Sequence, residues 1–520
     1  MPMHSRRSRT WLFHSWFAAA LAVVVGVATT HARAQSCPAG SWVATGAPVG
    51  LNNAVWSLAT LPNGDLVAGG SFTTASGTPC SSIARWNGST WSALGTGLNG
   101  VAYALAVMPG GDLIAAGAFT TAGGVACNRV ARWNGSCWSP LGSGMNGDVR
   151  ALAVLPSGEL VAAGPFTQAG GGACAYIARW NGSAWSPVGG GTNAVVLALT
   201  VLTNGDLAAG GSFTQAGGVA CNFIARWNGS AWSPFGAGID SPVQALSPLP
   251  GGGLVAGGAF LNAGGTPANR VARWNGSAWS AMGSGTTDEV MALLTLPNGD
   301  VIAGGRFLSA GGVFCSRVSR WNGSSWSTLQ GVGTSVGVNN RVHCLIGRPA
   351  GGFFAGGLFS SAGGHSTPYL GMYAQPQPPR FVDQPDDIAV VGGDTAGFSI
   401  YASIDTTAYR WHFEGSPLSN DGRISGADTA LLLIDATTPA DAGAYTCVIS
   451  NACGSVTSNV AILEVACPAD FNFDGGVDGA DVDAFFAAWE AGDSSADINR
   501  DGGIDGSDVS YFFFRWENGC

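Results

Sequence analysis

The sequence predicts a mainly β protein that consists of tandem repeats, a β-sandwich and a small helical module at the C-terminus. A motif of the form RWNGSTW, first seen at residues 85–91, recurs along the chain. The chain holds 81 glycines and only 10% charged residues, a composition typical of many turns. A helical period of apolar residues is almost absent before roughly the last fifty residues, which favours strands elsewhere.

The N-terminus has the features of a secretory signal peptide. Arg6, Arg7 and Arg9 precede an apolar run over residues 11–28, and an A-x-A cleavage pattern follows at residues 32–34. We therefore expect residues 1–34 to be a signal peptide and the mature protein to be secreted, with attachment to the cell surface. No later stretch approaches about 18 uninterrupted apolar residues, so we expect no membrane span after signal removal.

The charge of the chain excludes a typical nucleic-acid-binding surface. The formal net charge is −10, and removal of the four signal-peptide arginines makes it more negative still. The sequence contains no lysine. A basic footprint for nucleic acid is therefore absent.

The recurring motif predicts a β-hairpin. An Asn-Gly pair such as Asn87-Gly88 is a strong signal for a two-residue type I′ turn. With that turn, Trp86 would lie opposite Ser89, and Trp91 opposite Ala84, so that both tryptophans share a buried face. Residues 87–89 also form an N-glycosylation sequon, but the turn accounts for all three residues.

The repeat has a strict period of 47 residues. Its first tryptophan falls at Trp86, Trp133, Trp180, Trp227, Trp274 and Trp321, and a phenylalanine with the same spacing falls at Phe72, Phe119, Phe166, Phe213, Phe260 and Phe307. A seventh, shorter copy has Phe359 and Tyr373 at these positions. Each copy holds four short strands, which is the size of one β-propeller blade. Residues 41–46 read like the fourth strand that the seventh copy lacks, so we expect the N-terminus to complete it.

Glycine pairs such as Gly69-Gly70, Gly210-Gly211 and Gly304-Gly305 follow the second strand, and two spaced aromatic residues follow them. In this respect residues 36–375 resemble kelch-type propellers. The resemblance implies a seven-bladed β-propeller closed by the N-terminal strand. The expected domains are the propeller at 35–375, a Pro-rich linker at 376–381, an immunoglobulin-like domain at 382–466 and a calcium-binding module at 467–520.

One position near the start of the first strand differs in every copy. Innermost strands would line the channel of a propeller, so these seven side chains predict a ligand-binding rim for carbohydrate or protein. Tolerance of variation at a rim is the alternative interpretation. The seven residues are Trp56, Tyr103, Arg150, Leu197, Gln244, Met291 and His343.

We expect no catalytic residues in the repeats. Kelch-type propellers include a copper oxidase, but the mature chain has only His343, His365 and His412 as histidine ligands. The acids that recur at one turn position, Asp65, Asp112, Glu159, Asp206 and Asp300, indicate turn chemistry. Five equivalent cysteines lie too far apart in a seven-fold arrangement to form disulfides with one another and are predicted to be buried thiols. These are Cys80, Cys127, Cys174, Cys221 and Cys315.

Residues 379–466 resemble an immunoglobulin-like sandwich. The segment YRWHF around Trp411 and the segment DAGAYTC ending at Cys447 match the strand-C tryptophan and the tyrosine corner, with Tyr445 as the corner residue. Ile400 stands where the first cysteine of antibody domains belongs, so we expect Cys447 to pair with Cys453 across a hairpin. A spacer role is expected for this domain.

Two twelve-residue loops near the C-terminus, residues 470–481 and 497–508, predict two Ca²⁺ sites. Each offers oxygen ligands at positions 1, 3, 5, 7, 9 and 12 and has a glycine at position 6. The expected ligands are Asp470, Asn472, Asp474, Gly476, Asp478 and Asp481 in the first loop, and Asp497, Asn499, Asp501, Gly503, Asp505 and Asp508 in the second.

Each loop is followed by apolar residues with helical spacing. The paired pattern resembles dockerins, which implies two bound calcium ions and a cohesin-like or cell-surface protein as partner. Cys467 and Cys520 flank the duplicated unit and are expected to bridge its ends. Residues 467–520 carry twelve acidic side chains and two arginines, so we expect folding of this module to depend on cations.

Two functions follow from these features. The first is an exported, non-catalytic binding or display protein that is tethered by its calcium-dependent tail. The alternative is a secreted polysaccharide-active enzyme or carbohydrate-binding component with its site in the propeller channel.

Overall fold

The structure is a computed structural model that describes residues 40–43, 50–376, 378–403, 406–472, 474 and 476–518. The predicted signal peptide, residues 44–49 and Cys520 lie outside the described residues. Within them, the only two α-helices are near the C-terminus, and strands make up nearly all other regular structure. None of the helices in this described part is long and apolar enough to cross a membrane.

The repeats form seven four-stranded antiparallel sheets, one per repeat. The first strands are Val55–Thr60, Ala102–Val107, Ala151–Val154, Val196–Val201, Val243–Pro248, Val290–Thr295 and Val342–Gly347. The second strands are Leu66–Gly70, Leu113–Gly117, Leu160–Ala163, Leu207–Gly211, Leu254–Gly258, Val301–Gly305 and Gly352–Gly357. The third strands are Ile83–Trp86, Val130–Trp133, Ile177–Trp180, Ile224–Trp227, Val271–Trp274, Val318–Trp321 and Leu370–Ala374.

The fourth strands are Trp91–Ala93, Trp138–Pro140, Trp185–Pro187, Trp232–Pro234, Trp279–Ala281, Trp326–Ser327 and, from the N-terminus, Ser41–Val43. The N-terminal strand pairs with Leu370–Ala374, with Trp42 opposite Tyr373. The prediction that the N-terminus supplies the fourth strand of the seventh copy is therefore confirmed.

A two-stranded hairpin follows the second strand in every repeat. The seven hairpins are Thr74–Ala75 with Thr78–Pro79, Thr121–Ala122 with Val125–Ala126, Gln168–Ala169 with Gly172–Ala173, Gln215–Ala216 with Val219–Ala220, Asn262–Ala263 with Thr266–Pro267, Ser309–Ala310 with Val313–Phe314, and Ser361–Ala362 with His365–Ser366. One further bridge joins each hairpin to the chain segment that precedes the first strand, for example Leu51 to Ala75. This bridge connects the segment before the first strand to the hairpin that follows the second strand.

The hairpin in the RWNGSTW motif has a longer loop than the sequence predicts. Trp86 lies opposite Trp91, and Arg85 lies opposite Ser92, so four residues form the connection. The Asn87 side chain accepts hydrogen bonds from the backbone amides of Ser89 and Thr90, at 3.0 and 2.8 Å. This asparagine-capped turn replaces the predicted two-residue turn. Because the register differs by an even number of residues, both tryptophans still share one face.

The cores of the repeat region lie between neighbouring sheets. The repeated phenylalanines are fully buried, and Phe119, for instance, packs in one cluster with Val67 and Ile83 of the preceding repeat. A fourth-strand tryptophan also donates its indole N–H to a carbonyl of the preceding repeat, as in Trp138 to Leu94 at 2.8 Å. The same bond joins Trp185 to Leu141, Trp232 to Val188, Trp279 to Phe235 and Trp326 to Met282.

The first strands of successive sheets pack side by side, and Val342–Gly347 also packs against Val55–Thr60. Ladder hydrogen bonds nevertheless end within each repeat, because tight turns fold every repeat back on itself. The described strands thus form many small antiparallel sheets, and none of these sheets is closed. This corrects the predicted fold class, a closed seven-bladed β-propeller with a dockerin-like domain, to a mainly β chain of separate small sheets with two C-terminal helices.

Residues after the linker form a β-sandwich. Its strands are Phe381–Asp383, Ile388–Val391, Ala396–Ser399, Tyr401–Ala402, Ala408–Phe413, Ser416–Pro417, Ile424–Ser425, Leu431–Ile434, Gly443–Asn451, Gly454–Thr457 and Ala461–Ala466, with a 3₁₀ turn at Pro439–Asp441. Trp411 is fully buried in the core, and the Tyr445 hydroxyl donates to the Asp441 carbonyl at 2.8 Å. The predicted tryptophan and tyrosine corner are therefore present.

The predicted disulfide across the sandwich hairpin is wrong. Cys447 is a buried free thiol on Gly443–Asn451, where it lies opposite Trp411 in the core. Cys453 and Cys467 are each in a disulfide. The five equivalent cysteines of the repeats are free and buried, as predicted. Burial raises the pKa of these thiols, Cys80 among them, which disfavours the reactive thiolate.

The C-terminal segment has two α-helices, Gly479–Ala491 and Gly506–Asn518, and a 3₁₀ turn at Ser494–Ala496. Phe485 and Phe512 stack on each other at 4.4 Å between ring centroids and are both fully buried. The predicted apolar stripe after each loop thus forms the contact between the helices.

Trp42 tests how far the repeat region depends on its N-terminal strand. Its side chain is 2% exposed and packs edge-on against Phe353 and Tyr373. We expect Trp42→Ala to lower the free energy of unfolding of the repeat region by about 3–5 kcal/mol, because it leaves a large cavity. Guanidinium unfolding followed by tryptophan fluorescence measures the change. Ser41→Ala, an exposed neighbour, is the control, and equal stabilities of the two variants would contradict the role of this strand.

Candidate functional site

The seven variable residues lie at a distortion of the first strand. In six sheets the register of the first strand shifts at this position, so the residue is the extra residue of a β-bulge. In the third sheet, Arg150 directly precedes the strand and its amide donates to the Ala163 carbonyl at 2.7 Å. Bulges redirect a side chain out of the regular alternation. The variable residue of each repeat thus lies at the same end of its sheet.

A glycine in the second strand is required by the backbone that leads into the bulge. An added Cβ at Gly70 would lie 2.1 Å from the Ala54 carbonyl oxygen, and one at Gly117 would lie 2.0 Å from that of Val101. The equivalent glycines in the other repeats are equally crowded, namely Gly164, Gly211, Gly258, Gly305 and Gly357. The glycine pairs in the sequence therefore have a structural cause, which is the close approach of the first strand.

Four of the seven side chains form one contact series across four sheets. His343 stacks on Trp56 with 4.0 Å between ring centroids, and Trp56 meets Tyr103 edge to face at 5.7 Å. The Arg150 guanidinium lies over the Tyr103 ring at 3.9 Å, a cation–π contact. All seven residues are half-buried. The series gives this end of the sheets an aromatic and cationic side, and Leu197, Gln244 and Met291 make up a neutral side.

His343 is held in its neutral form. Burial, together with the smaller effect of the nearby Arg341 charge, lowers the pKa of His343 to about 4. Neither ring nitrogen has a hydrogen-bond partner in the part of the chain that the structure describes. A neutral, dry imidazole suits stacking on Trp56 better than proton transfer at neutral pH.

The recurring turn acids have a structural role that the sequence did not reveal. Asp65 at the turn forms an ion pair with Arg85 of the third strand. The other four pairs are Asp112 with Arg132, Glu159 with Arg179, Asp206 with Arg226 and Asp300 with Arg320. The spacing of twenty residues between acid and arginine is constant and could have indicated the pairs. These acids are therefore neutralised within their own repeat, as expected for structural rather than catalytic carboxylates.

The two C-terminal acidic loops have the same internal arrangement. Asp481, fully buried, accepts hydrogen bonds from the amides of Asn472 and Asp478, at 3.0 and 2.8 Å. Burial by itself raises the pKa of Asp481, but these backbone hydrogen bonds hold it below its usual range. Asp508 repeats the pattern with Asn499 and Asp505 at 3.2 and 2.9 Å.

The remaining predicted ligands lie on the same loops. Asp474 and Asp501 accept hydrogen bonds from the amides of Gly476 and Gly503, at 2.9 and 3.0 Å. The Asp470 side chain accepts from the Asp474 amide at 3.1 Å. Over the described residues, no group of three or more His, Cys, Asp or Glu side chains converges closely enough to hold a metal ion. As arranged here, the carboxylates bind amides of their own loops.

One buried oxygen atom is nevertheless an observation in favour of a cation site in the second loop. The Asp497 Oδ1 is buried and has no hydrogen-bond partner, whereas its Oδ2 accepts from the Gly502 amide at 3.1 Å. A buried carboxylate oxygen without a partner is costly. The other predicted ligands of this loop offer carboxylate, amide and backbone carbonyl oxygens, which are the ligands that Ca²⁺ prefers. The residues present therefore fit calcium better than a softer metal.

Comparison with known proteins identifies one of these parts. The family model that matches is the immunoglobulin I-set domain, over residues 379–465. A search of curated proteins found no match.

Several solved structures are similar to a part of the chain. They include titin M4 (24% identity, 17% of this chain and 97% of that chain, TM-score 0.17), Duf (Kirre) D1 (19%, 17% and 96%, TM-score 0.15) and the Ig-like domain of human leucine-rich repeat-containing protein 4 (26%, 16% and 85%, TM-score 0.15). With such TM-scores they carry no argument about the whole chain.

These findings correct the families that we predicted. The family match supports an immunoglobulin-like I-set domain, and it supports neither a kelch-like propeller nor a dockerin-like or EF-hand module. The motifs misled for physical reasons. The glycine pairs are needed where the first strand approaches the second at the bulge. Asp478 and Asp481 form a capping box at the start of Gly479–Ala491, so acidic residues before a helix also serve as caps. An immunoglobulin-like domain is typical of binding or structural proteins, often extracellular ones, and not of catalysts.

The buried state of His343 predicts how stability depends on pH. Because the pKa of His343 falls from 6.5 to about 4 on folding, the unfolded chain takes up the proton first as the pH drops. Folding stability should therefore decline between about pH 6.5 and pH 4, by up to about 3 kcal/mol. His343→Phe keeps a ring on Trp56 and should remove this part of the decline in denaturant unfolding. Titration of His343 near its ordinary pKa in an NMR experiment would contradict the prediction.

Proposed function

We propose that this chain is an exported, non-catalytic binding protein whose recognition surface consists of the seven variable residues (the bulge residues, with Arg150 at the equivalent position of the third sheet). The observation that carries the proposal is the contact series from His343 through Trp56 and Tyr103 to Arg150, which joins unlike side chains from four sheets. Aromatic rings and arginine dominate the binding energy of recognition surfaces. The fourth-strand tryptophan and the buried phenylalanine recur in every repeat, whereas this position differs in all seven copies, so we place the binding specificity at this position.

The ligand of this surface is proposed to be a carbohydrate or a protein. Edge-to-face and stacked rings offer flat apolar faces, and Arg150 offers a charged donor. The immunoglobulin-like domain supports the same class of function, since such domains commonly bind proteins or act as spacers. An enzyme with its site at this surface is less well supported, because His343 is neutral and has no carboxylate partner among the described residues.

A binding array with the full mature protein tests the recognition surface. Trp56→Ala and Tyr103→Ala should each weaken the binding of a captured glycan or protein by about tenfold or more, because each removes an aromatic contact. Phe314→Ala is the matched control, since this phenylalanine is 59% exposed and is not a bulge residue. The same panel includes polysaccharide hydrolase and oxidase assays. Binding that survives both substitutions, or turnover that Tyr103→Phe abolishes, would contradict the proposal.

We further propose that the C-terminal segment binds two calcium ions and attaches the chain to a surface protein. The support is the duplicated set of oxygen ligands, the unpartnered Asp497 Oδ1, and a surplus of acidic residues that only cations can offset. Bound calcium would supply positive charge between carboxylates that otherwise repel one another. The loops would then be ordered by the metal, and the helices would present their exposed faces to the partner.

Calorimetry on EDTA-treated full-length protein tests the calcium proposal. We expect two sites, with Asp470→Ala and Asp497→Ala each removing one, because each deletes the carboxylate at the first position of a loop. Glu490→Ala, an exposed acid on the first helix, should leave both sites intact and serves as the control for lost negative charge. Absence of binding below millimolar calcium, or equal loss with Glu490→Ala, would show that the loops are acidic turns.

A further inference from the structure

A cleft of about 680 Å³ lies between the repeat region and the β-sandwich. Its walls come from the turn after Val342–Gly347, from the sixth repeat's turn around Asn298, and from the linker and first strands of the sandwich. The turn of residues 348–351 follows the first strand, whereas the bulge residue His343 lies at its beginning. The cleft is thus at the opposite ends of the strands from the bulge residues.

The cleft is positively charged within an acidic protein. Among the described residues that line it, Arg348 and Arg380 are the only charged ones, and no Asp or Glu is present. The formal net charge of the whole chain is −10. Neither arginine forms an ion pair with a described carboxylate, in contrast to the five arginines that pair with the turn acids. Two unpaired guanidinium groups on one cleft indicate an anionic ligand.

Arg348 has little to offset its charge. Its guanidinium donates to the Gly351 carbonyl at 3.2 Å and lies 5.4 Å from the centroid of the Phe354 ring. Arg348 is half-buried, and burial lowers the pKa of its guanidinium because it disfavours the charged form. A partly buried cation normally has a carboxylate partner. The ligand would supply that partner and form the bidentate hydrogen bonds that a guanidinium favours.

The rest of the lining favours a sugar. Tyr401 is 67% exposed and Val382 is 60% exposed, so the cleft offers a flat ring and an apolar neighbour to solvent. Neutral hydrogen-bonding side chains complete the wall, namely Thr60, Thr295, Asn298, Gln375 and Ser403. Asn298 is already bonded to Asp300 and Thr295 to Ser247. The side chains of Thr60, Gln375 and Ser403 would therefore meet the hydroxyls of a polyhydroxylated ligand, and the size falls within the usual range of small-molecule sites.

We infer that this cleft binds a carboxylate-bearing sugar of the uronic acid class, with the carboxylate on Arg348 and Arg380 and a sugar ring on Tyr401. The inference does not depend on the function proposed for the bulge residues. It assigns to the junction between repeats and sandwich a role beyond that of a spacer.

Calorimetry with trigalacturonate and the full mature protein tests the inference. Arg348→Gln and Arg380→Gln should each weaken binding by about tenfold, because each removes one charged donor to the carboxylate. Tyr401→Ala should weaken binding severalfold, and raised salt should weaken it as well. Arg273→Gln is the matched control: Arg273 is an exposed arginine on the fifth sheet, and the structure shows no ion pair for it among the described residues. Circular dichroism and thermal melting show whether each variant folds.

Two further ligands distinguish recognition of a sugar carboxylate from recognition of the sugar's shape alone or of any anion. The methyl ester of trigalacturonate has the same shape without charge and should bind at least tenfold more weakly, whereas inorganic phosphate should not compete at equal concentration. If trigalacturonate does not bind, if its ester binds equally well, or if Arg380→Gln folds and binds like Arg273→Gln, the inference is wrong. Equal competition by phosphate would show a simple anion site and overturn the assignment to a sugar. The result of this experiment does not depend on whether the bulge residues bind a ligand in the array.

Discussion

The repeat region depends on the junction between one repeat and the next. No single four-stranded sheet can bury both of its faces, so the phenylalanine and tryptophan of each repeat must be covered by a neighbour. The indole hydrogen bond from Trp138 to Leu94 holds one repeat against the preceding one, and four equivalent bonds do the same along the chain. A buried indole N–H needs such a partner, so the bond adds direction to an otherwise non-directional apolar contact.

Packing between repeats involves different residues from those of the candidate binding surface. Some residues that face a neighbouring repeat recur in every copy, and the buried phenylalanine at Phe72 and its equivalents is one of them. The bulge residue Trp56 follows Val55, which lies opposite Gly70, and the missing Cβ of Gly70 avoids a clash with the Ala54 carbonyl. One position per repeat differs in all seven copies. The contact from His343 to Trp56 shows that these variable positions still meet one another across sheets.

Much of the fold could be predicted from the period of the sequence, and the errors have local causes. The strict spacing of Trp86 and its copies located the strands, and the similarity of residues 41–46 to a fourth strand located the partner of Leu370–Ala374. The hairpin register was wrong because an asparagine side chain that bonds the loop amides is indistinguishable in sequence from one that adopts positive φ. Family names taken from glycine pairs and acidic loops were wrong because bulges and helix caps require the same residues.

The sites were harder to predict than the strands, because they depend on contacts between distant segments. The variable residues stood out by comparison of the repeats, but the bulge at Tyr103 and its contact with Arg150 need coordinates. Cys447 was assigned a disulfide from its proximity in sequence to Cys453, yet its side chain lies in the sandwich core. The cleft at Arg348 left no signal at all, since its walls come from repeats, linker and sandwich, and its charge is evident only from the absence of nearby described carboxylates.

Charge also connects the C-terminal segment to the sandwich. Arg500 lies between the predicted ligands Asn499 and Asp501, but its guanidinium points outward and pairs with Asp394 of the sandwich at 2.7 Å. Both partners are largely exposed, so the pair adds little stability by itself. Its consequence is that the one arginine of this loop does not neutralise the loop's own acids. If the second loop binds calcium as proposed, the metal offsets the charge of those acids and orders the backbone that carries Arg500. Metal binding and the contact with the sandwich would then be linked through a single loop.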